Sequence, residues 1–267
     1  LLSSNLLPAD FETVSAAAWE KARDVEGYIG EREFRALCML AAAAPGEDGV
    51  IVEIGSFKGK STIGVASMAE AYNLGTVVSI DPHNQPSQTD PDLPASGTSF
   101  DDFQAAIAKA GLTHRVEAHR APSRAVAAGW HRPIRLLWID GDHTYQGAKL
   151  DFDLFTPFLV EGAIVAFHDT LHEFEGPIRV VVEDMLRSDR FGPAGFLHTI
   201  GWAQYRPKDG ERFRKQRLAL ARKAARLIPL VANNRRVVGL TRMRFKLNCA
   251  RVPHQVLSPG EFSACLG

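Results

Sequence analysis

From about residue 50 onward, short apolar runs rich in Val and Ile alternate with stretches of helical spacing. The runs are Val50 to Ile54, Thr76 to Ile80, Arg115 to Ala118, Ile134 to Ile139 and Ala163 to Phe167. Between them, residues near 60–72, 99–110, 122–129, 145–158 and 176–187 place their apolar positions as helices do. Strands alternating with helices imply crossover connections and a parallel sheet, and runs apolar at nearly every position are those buried on both faces. The expected fold class is therefore α/β, a Rossmann-like, doubly wound and mostly parallel sheet. Phe196 to Arg206 reads as a short hairpin around Ile200-Gly201-Trp202, which would give that sheet an antiparallel edge.

Upstream, residues 10–44 read as two helices, with Ala16, Ala17, Ala18, Trp19 and Ala22 in the first and Phe34, Leu37, Cys38, Leu40 and Ala41 in the second. Pro45-Gly46-Glu47-Asp48-Gly49 ends them. Residues 1–47 are thus expected to form a helical extension, 48–206 the α/β domain and 207–267 a C-terminal extension. Inside the domain, Asn84 to Ser99 carries Pro86, Pro91, Pro94 and Gly97 and almost no apolar residue. A loop of that length in a compact domain is expected to be a lid or an insertion without a role.

Composition narrows the class. The chain has 267 residues, 45% hydrophobic and 23% charged, an ordinary globular balance that excludes a disordered, collagenous or disulfide-stapled protein. Cys38, Cys249 and Cys265 are odd in number and lack C-x-x-C spacing, so neither a disulfide framework nor a thiolate zinc site is expected. No run approaches the roughly 18 apolar residues of a membrane span. The opening Leu1-Leu2-Ser3-Ser4 lacks the charged and apolar regions of a signal peptide, although the absence of an initial Met leaves an earlier segment open. A reducing, cytoplasmic setting is the expectation.

Charge divides the chain. The formal net charge is zero, 31 basic against 31 acidic residues, which argues against a uniformly basic surface. Between Arg206 and Arg251, however, fifteen Lys and Arg face only Asp209 and Glu211, a net of +13, so the rest of the chain carries −13. Residues 211–228 read as a basic helix with Phe213, Leu220, Ala224 and Leu227 on one side, ended by Pro229. Its apolar side is expected either to pack on the core or a second subunit, or to lie on an anionic membrane surface.

The chemistry concentrates just beyond the apolar runs, where open parallel sheets bind ligands. After the first run comes Glu53-Ile54-Gly55-Ser56-Phe57-Lys58-Gly59-Lys60-Ser61-Thr62. It is one residue too short for a phosphate-wrapping P-loop. Ser56-Phe57 stand where a dinucleotide fingerprint needs its second glycine. What remains is E-x-G-x-x-x-G-x-S, with glycines that let a backbone pass close to a ligand and a carboxylate suited to an ammonium group. The second run ends at Asp81, 22 residues after Gly59, where a carboxylate can accept hydrogen bonds from a ribose diol.

These residues resemble the class I S-adenosylmethionine-dependent methyltransferases over about residues 48–206. The resemblance implies that the loop with Glu53, Gly55, Ser56, Gly59 and Ser61 passes under the methionine part, that Asp81 holds the ribose, and that Ala121-Pro122-Ser123 lies near the adenine. Asp140 would also face the cofactor.

The fourth run ends Asp140-Gly141-Asp142-His143 and the fifth His168-Asp169. In a doubly wound sheet these strands are neighbours, so Asp140, His168 and Asp169 are expected to converge as ligands of a divalent cation. Such an ion would stabilise an oxyanion, and His143, titrating near neutrality, is the natural base. The pattern is similar to the metal-dependent O-methyltransferases of the catechol and macrolide-sugar types, in which an Asp ends the fourth strand and the base follows three positions later. His168 departs from the acidic residue found there, which moves the expected ion from Mg²⁺ toward Mn²⁺ or another transition metal. The alternative is a metal-free rim in which His168 hydrogen-bonds to its neighbours and Asp140 and Asp169 cap helices.

The expected reaction is methyl transfer from S-adenosylmethionine to a hydroxyl of a sugar, glycolipid or polyketide-like acceptor, with His172, Asp142 and Tyr145 as candidate lining of its pocket. The two N-terminal helices would complete that pocket or a homo-oligomer contact. Nucleic acid is not an expected partner. A metal-independent methyltransferase, a related oxygen-chemistry enzyme such as the cephalosporin hydroxylase relatives, and a non-catalytic nucleoside-binding module stand as alternatives.

Overall fold

The structure, a computed structural model, describes residues 7–44, 49–84, 98–254 and 257–266. Two helices, α1 (Phe11–Ala22) and α2 (Glu31–Ala43), precede an alternation of β1 (Val50–Ile54), α3 (Lys60–Tyr72), β2 (Val77–Ile80), α4 (Phe100–Lys109), β3 (Val116–His119), α5 (Ser123–Ala127), β4 (Ile134–Ile139), α6 (Tyr145–Phe155), β5 (Leu159–Phe167) and α7 (Glu175–Val180). A π-helical turn, Val181–Leu186, extends α7 into a hairpin of β6 (Phe191–Leu197) and β7 (Ile200–Tyr205). The chain closes with α8 (Arg214–Ala224), α9 (Ile228–Val231), α10 (Gly239–Cys249) and α11 (Pro259–Leu266). The Asn84 to Ser99 loop falls largely outside the described residues, as does most of the Pro45 to Gly49 turn.

The seven strands form one sheet in the order β3-β2-β1-β4-β5-β7-β6, parallel from β3 to β5 and antiparallel where β7 meets β5 and β6. Alternation along β4 explains how one strand serves two cores. Leu136 and Trp138 pack among Phe34, Leu37 and Phe262 on one face, while Leu137 and Ile139 pack among Phe152, Phe155 and Phe167 on the other. The first core recruits α1, α2 and α11, and the second recruits α8 and α9, so both ends of the chain bury residues against the sheet.

Two expectations about these elements need correction. The hairpin turns at His198-Thr199, where Leu197 pairs with Ile200 and His198 takes φ 53°. Gly201, taken for a turn marker, lies inside β7, where a Cβ would meet the Thr170 side chain at 2.9 Å. The helix expected over 211–228 is shorter, and Pro229 sits in the first turn of α9, where its missing N–H is no loss, instead of ending α8. The apolar side of α8 packs inward through Ala221 and Ala224. One of the tail's cations goes with it. Arg217 is fully buried, its Nη1 donating to the carbonyls of Phe191 and Gly210 (2.6 Å to the latter) and its Nη2 lying 3.0 Å from Asp189.

Register fixes the site. Ile54 pairs with both Ile80 and Ile139, and Ile139 pairs with Phe167. The residues after these ends, Gly55, Asp81, Asp140 and His168, therefore leave the sheet side by side along one rim. That rim includes the point between β1 and β4 where the chain order reverses, the place where α/β sheets open a crevice.

Candidate active site

A cavity of about 840 Å³ opens at this rim, in the size range of small-molecule sites. Gly55, Ser56, Ser61, Asp81, Ser123 and Asp140 all line it. The loop after β1 runs against the end of β4. Gly55 holds φ 85°, and a Cβ there would fall 2.1 Å from the Asp140 carbonyl oxygen, so only glycine fits. Asp81 organises the same loop. Its Oδ2 accepts from the amides of Ser56 (2.9 Å) and Phe57 (2.8 Å), and its Oδ1 accepts from the His83 amide (2.7 Å). The carboxylate expected at the ribose is thus also the clasp between the two strand ends.

Glu53 and Gly59 take supporting places outside the cavity lining. Glu53 was expected at the mouth, facing an ammonium group, but its side chain is buried beneath the loop and accepts from the Thr62 hydroxyl at 2.5 Å. Burial pushes its carboxyl up to about 7, against the lowering pull of the Ser61 and Thr62 hydroxyls. Gly59 caps α3 at φ 88°, where a Cβ would lie 3.1 Å from the Phe103 ring. Ser123 donates to Asp151 Oδ1 at 2.5 Å, and Asp151, itself a lining residue, is raised by burial to about 6 despite that bond.

In the same cavity Asp140, His143 and Asp169 present ligand atoms within 4.8 Å of one another. His143 Nε2 lies 3.4 Å from Asp169 Oδ2 and 3.8 Å from Asp140 Oδ1, and its ring stacks on Phe174 at 4.3 Å. Asp169 takes φ 53°, an unusual backbone for a residue with a side chain and one often found at functional positions. His172 Nδ1 holds its Oδ1 at 2.7 Å. His172 and Asp142 line the cavity, whereas Tyr145 instead lies under the Arg179 guanidinium at 3.8 Å.

The expected ligand set changes here. His168 touches both carboxylates, with Nδ1 3.1 Å from Asp140 Oδ1 and 3.4 Å from Asp169 Oδ2, but it stands behind them and outside the cavity lining. Its Nε2 faces Glu33 Oε2 at 3.7 Å. Burial would lower the imidazole, and the two aspartates overcome it, holding His168 well above its ordinary range. Burial would likewise raise Asp169, and His168 with His172 holds it well below the ordinary carboxylate range. His143 lines the cavity beside the two aspartates where His168 was expected, whereas His168, the first residue past β5, is buried.

Three contributors escaped the sequence reading. Glu33, from α2, is held down to about 2 against its burial by His168, Thr199 and the Gly30 amide. Phe174 gave no signal. Asp151 did give one, since it falls three residues after buried Ala148 and four before buried Phe155, on the inward face of α6.

Comparison with known proteins shows what this fold and rim are similar to. Residues 52–170, somewhat under half of the chain, match the family described as "Methyltransferase domain". Among solved structures, the O-methyltransferase NovP is 15% identical with a TM-score of 0.56, over 67% of this chain and 81% of its own. Cofactor-bound Rv0187 from MTB is 18% identical at a TM-score of 0.52, over 73% and 91%. The O-methyltransferase from Bacillus cereus, solved with S-adenosylhomocysteine, is 18% identical at 0.50, over 74% and 91%. At such identities the structural likeness establishes the fold. The family match runs from Val52 in β1 through the whole of β5, and so includes all five parallel strand ends that build the rim.

Proposed function

We propose that the chain is an O-methyltransferase that uses His143 as general base on a hydroxyl of a sugar, glycolipid or polyketide-like acceptor. The observation that carries this reading is the position of His143. It stands beside Asp140 and Asp169 in the same cavity that Asp81 and Ser123, the residues expected at the nucleoside, also line. An alcohol is a poor nucleophile until its proton is taken, and an imidazole nitrogen is a group that can take it. The acceptor oxygen gives its proton to His143 and forms a bond to the methyl carbon. Bound S-adenosylmethionine would supply the methyl group, its sulfur keeping the electron pair of the carbon–sulfur bond given up. The protein's task is mainly alignment of the two partners.

The donor set fits a divalent cation. Asp140 and Asp169 would hold it, with oxygen ligands suited to Mg²⁺ or Mn²⁺. The chemistry such an ion supplies is stabilisation of the negative charge developing on the acceptor oxygen. His168, charged by its two aspartates, supports the carboxylates from behind.

A second reading, favoured by the distances around His143, makes that residue the third ligand instead of the base. Calorimetric titration of Mn²⁺ and of S-adenosylhomocysteine into wild type and His143→Ala separates the two. Unchanged Mn²⁺ affinity with lost turnover supports the base. Mn²⁺ affinity lost together with turnover supports the ligand. Absence of S-adenosylhomocysteine binding to the wild type, with or without Mn²⁺, would defeat both.

A further inference from the structure

The basic C-terminal region has an uncovered apolar side, and it lies on α10, not on α8. Among the described residues only five large hydrophobic side chains are well exposed, and four of them are Val238, Leu240, Met243 and Leu247. The last three are 73%, 55% and 57% exposed. Their i, i+3, i+7 spacing puts them in one line along the helix. Phe245, 6% exposed, anchors the opposite side of α10 to the body, with Val237 and Val252 buried where the chain enters and leaves.

Charge surrounds this ridge with one sign. From Arg235 to Arg251 the sequence contains six Lys and Arg and no Asp or Glu. Arg244 lies one turn from both Leu240 and Leu247, and Lys246 flanks Met243. Arg235 and Arg236, with Asn233 and Thr241, line a cavity of about 330 Å³ that opens beside Val238. Among the described residues, Arg242 alone of the six has a carboxylate within 4 Å, Glu173 at 3.9 Å. No helix among the described residues is long and apolar enough to cross a membrane.

We propose that α10 docks the protein on an anionic lipid surface. Leu240, Met243 and Leu247 enter the boundary between headgroups and acyl chains, and Arg235, Arg236, Arg244 and Lys246 contact lipid phosphates. An exposed apolar line with a cationic rim is what an interfacial helix needs, because burial of the ridge and attraction to anionic headgroups act in the same direction. The long stems of Arg and Lys reach outward while the ridge sinks. A second copy of the chain fits the surface poorly. Two-fold pairing of the ridges would bring both cationic rims together. A nucleic acid would be held by the charges alone and has no use for the apolar line.

The test uses the full chain and vesicles of phosphatidylcholine, pure or mixed with phosphatidylglycerol. Sedimentation with the mixed vesicles at low salt, and not with the pure ones, is expected. The triple variant Leu240→Ser, Met243→Ser, Leu247→Ser should lower that binding at least about tenfold while circular dichroism stays unchanged. The pair Arg244→Glu and Lys246→Glu should lower it as well. No sedimentation of the wild type with mixed vesicles overturns the proposal. So does a triple variant that binds as well as the wild type, which would leave charge alone as the cause. A wild-type oligomer on gel filtration that the triple variant dissolves would assign the ridge to a second copy instead.

Discussion

His168 Nδ1 stands 3.1 Å from Asp140 Oδ1, with the ring 2% exposed and turned away from the cavity. This contact sets the positions of the two imidazoles at the rim. His168 fixes the carboxylate from behind, and the front is left to His143.

If His143 is the base proposed above, His143→Ala is expected to abolish turnover while S-adenosylhomocysteine affinity stays within a few-fold, because the residue is not among those expected to hold the nucleoside. General-base contributions of roughly 100- to 10,000-fold set the scale of the loss. Steady-state kinetics beside calorimetry measures both, and near-normal turnover would remove His143 as the base.

Glu33→Gln should destabilise the fold by roughly 2 kcal/mol, less than the full loss of a buried pair because the carboxylate keeps some solvent contact. The native carboxyl is held near 2, below its unfolded value, so its contribution is complete above about pH 4.5 and fades as pH falls toward 2. Urea denaturation at neutral and acid pH should therefore show a wild-type loss in that window which the variant lacks. Equal acid sensitivity in both proteins would separate Glu33 from His168.

Glu53→Gln should act in the opposite direction. Its carboxyl is raised to about 7 by burial, so the folded protein keeps a proton that the unfolded chain releases. Wild-type stability then falls as pH rises from about 4.5 to 7, by roughly 3 kcal/mol for that displacement, and levels off above it. The amide has no charge to bury. Thermal melts of the cofactor-free protein should show the variant gaining on wild type between pH 5 and pH 8, and parallel curves would refute the assignment.

Gly55→Ala places a methyl group 2.1 Å from a backbone oxygen of the neighbouring strand, at a φ of 85°. The strained backbone alone costs about 1–3 kcal/mol, and the contact cannot be relieved by a side-chain rotation. Calorimetry should find S-adenosylhomocysteine binding weakened at least about tenfold in whatever protein folds. Wild-type affinity would mean that the loop has room to move off Asp140.

Much of the site was legible because it follows from strand ends. A doubly wound sheet places the residue after each apolar run at one rim, so Gly55, Asp81 and Asp140 could be named before any coordinates. Glu53 shows the limit of that reasoning. It lies one residue further inside the strand end, and the pleat turns its carboxylate under the loop. Asp151 was within reach, as a carboxylate on an apolar helix face. Glu33 was not, since it meets His168 from an element 135 positions away in sequence, and nothing local announces that contact.

The tail makes the same distinction on a larger scale. Period and charge counting established an α/β sheet, an acidic body and a basic C-terminal region, because side-chain spacing and net charge are properties of the chain itself. Which apolar stripe faces the core is not such a property. α8 and α10 are both basic with apolar positions at helical spacing, and only packing buried Ala221 and Ala224 while leaving Leu240, Met243 and Leu247 in solvent. The choice between His143 and His168 at the rim is of the same kind. Both imidazoles follow strand-end residues, and the direction in which each ring leaves the backbone is settled by what the neighbouring strands and α2 place around it.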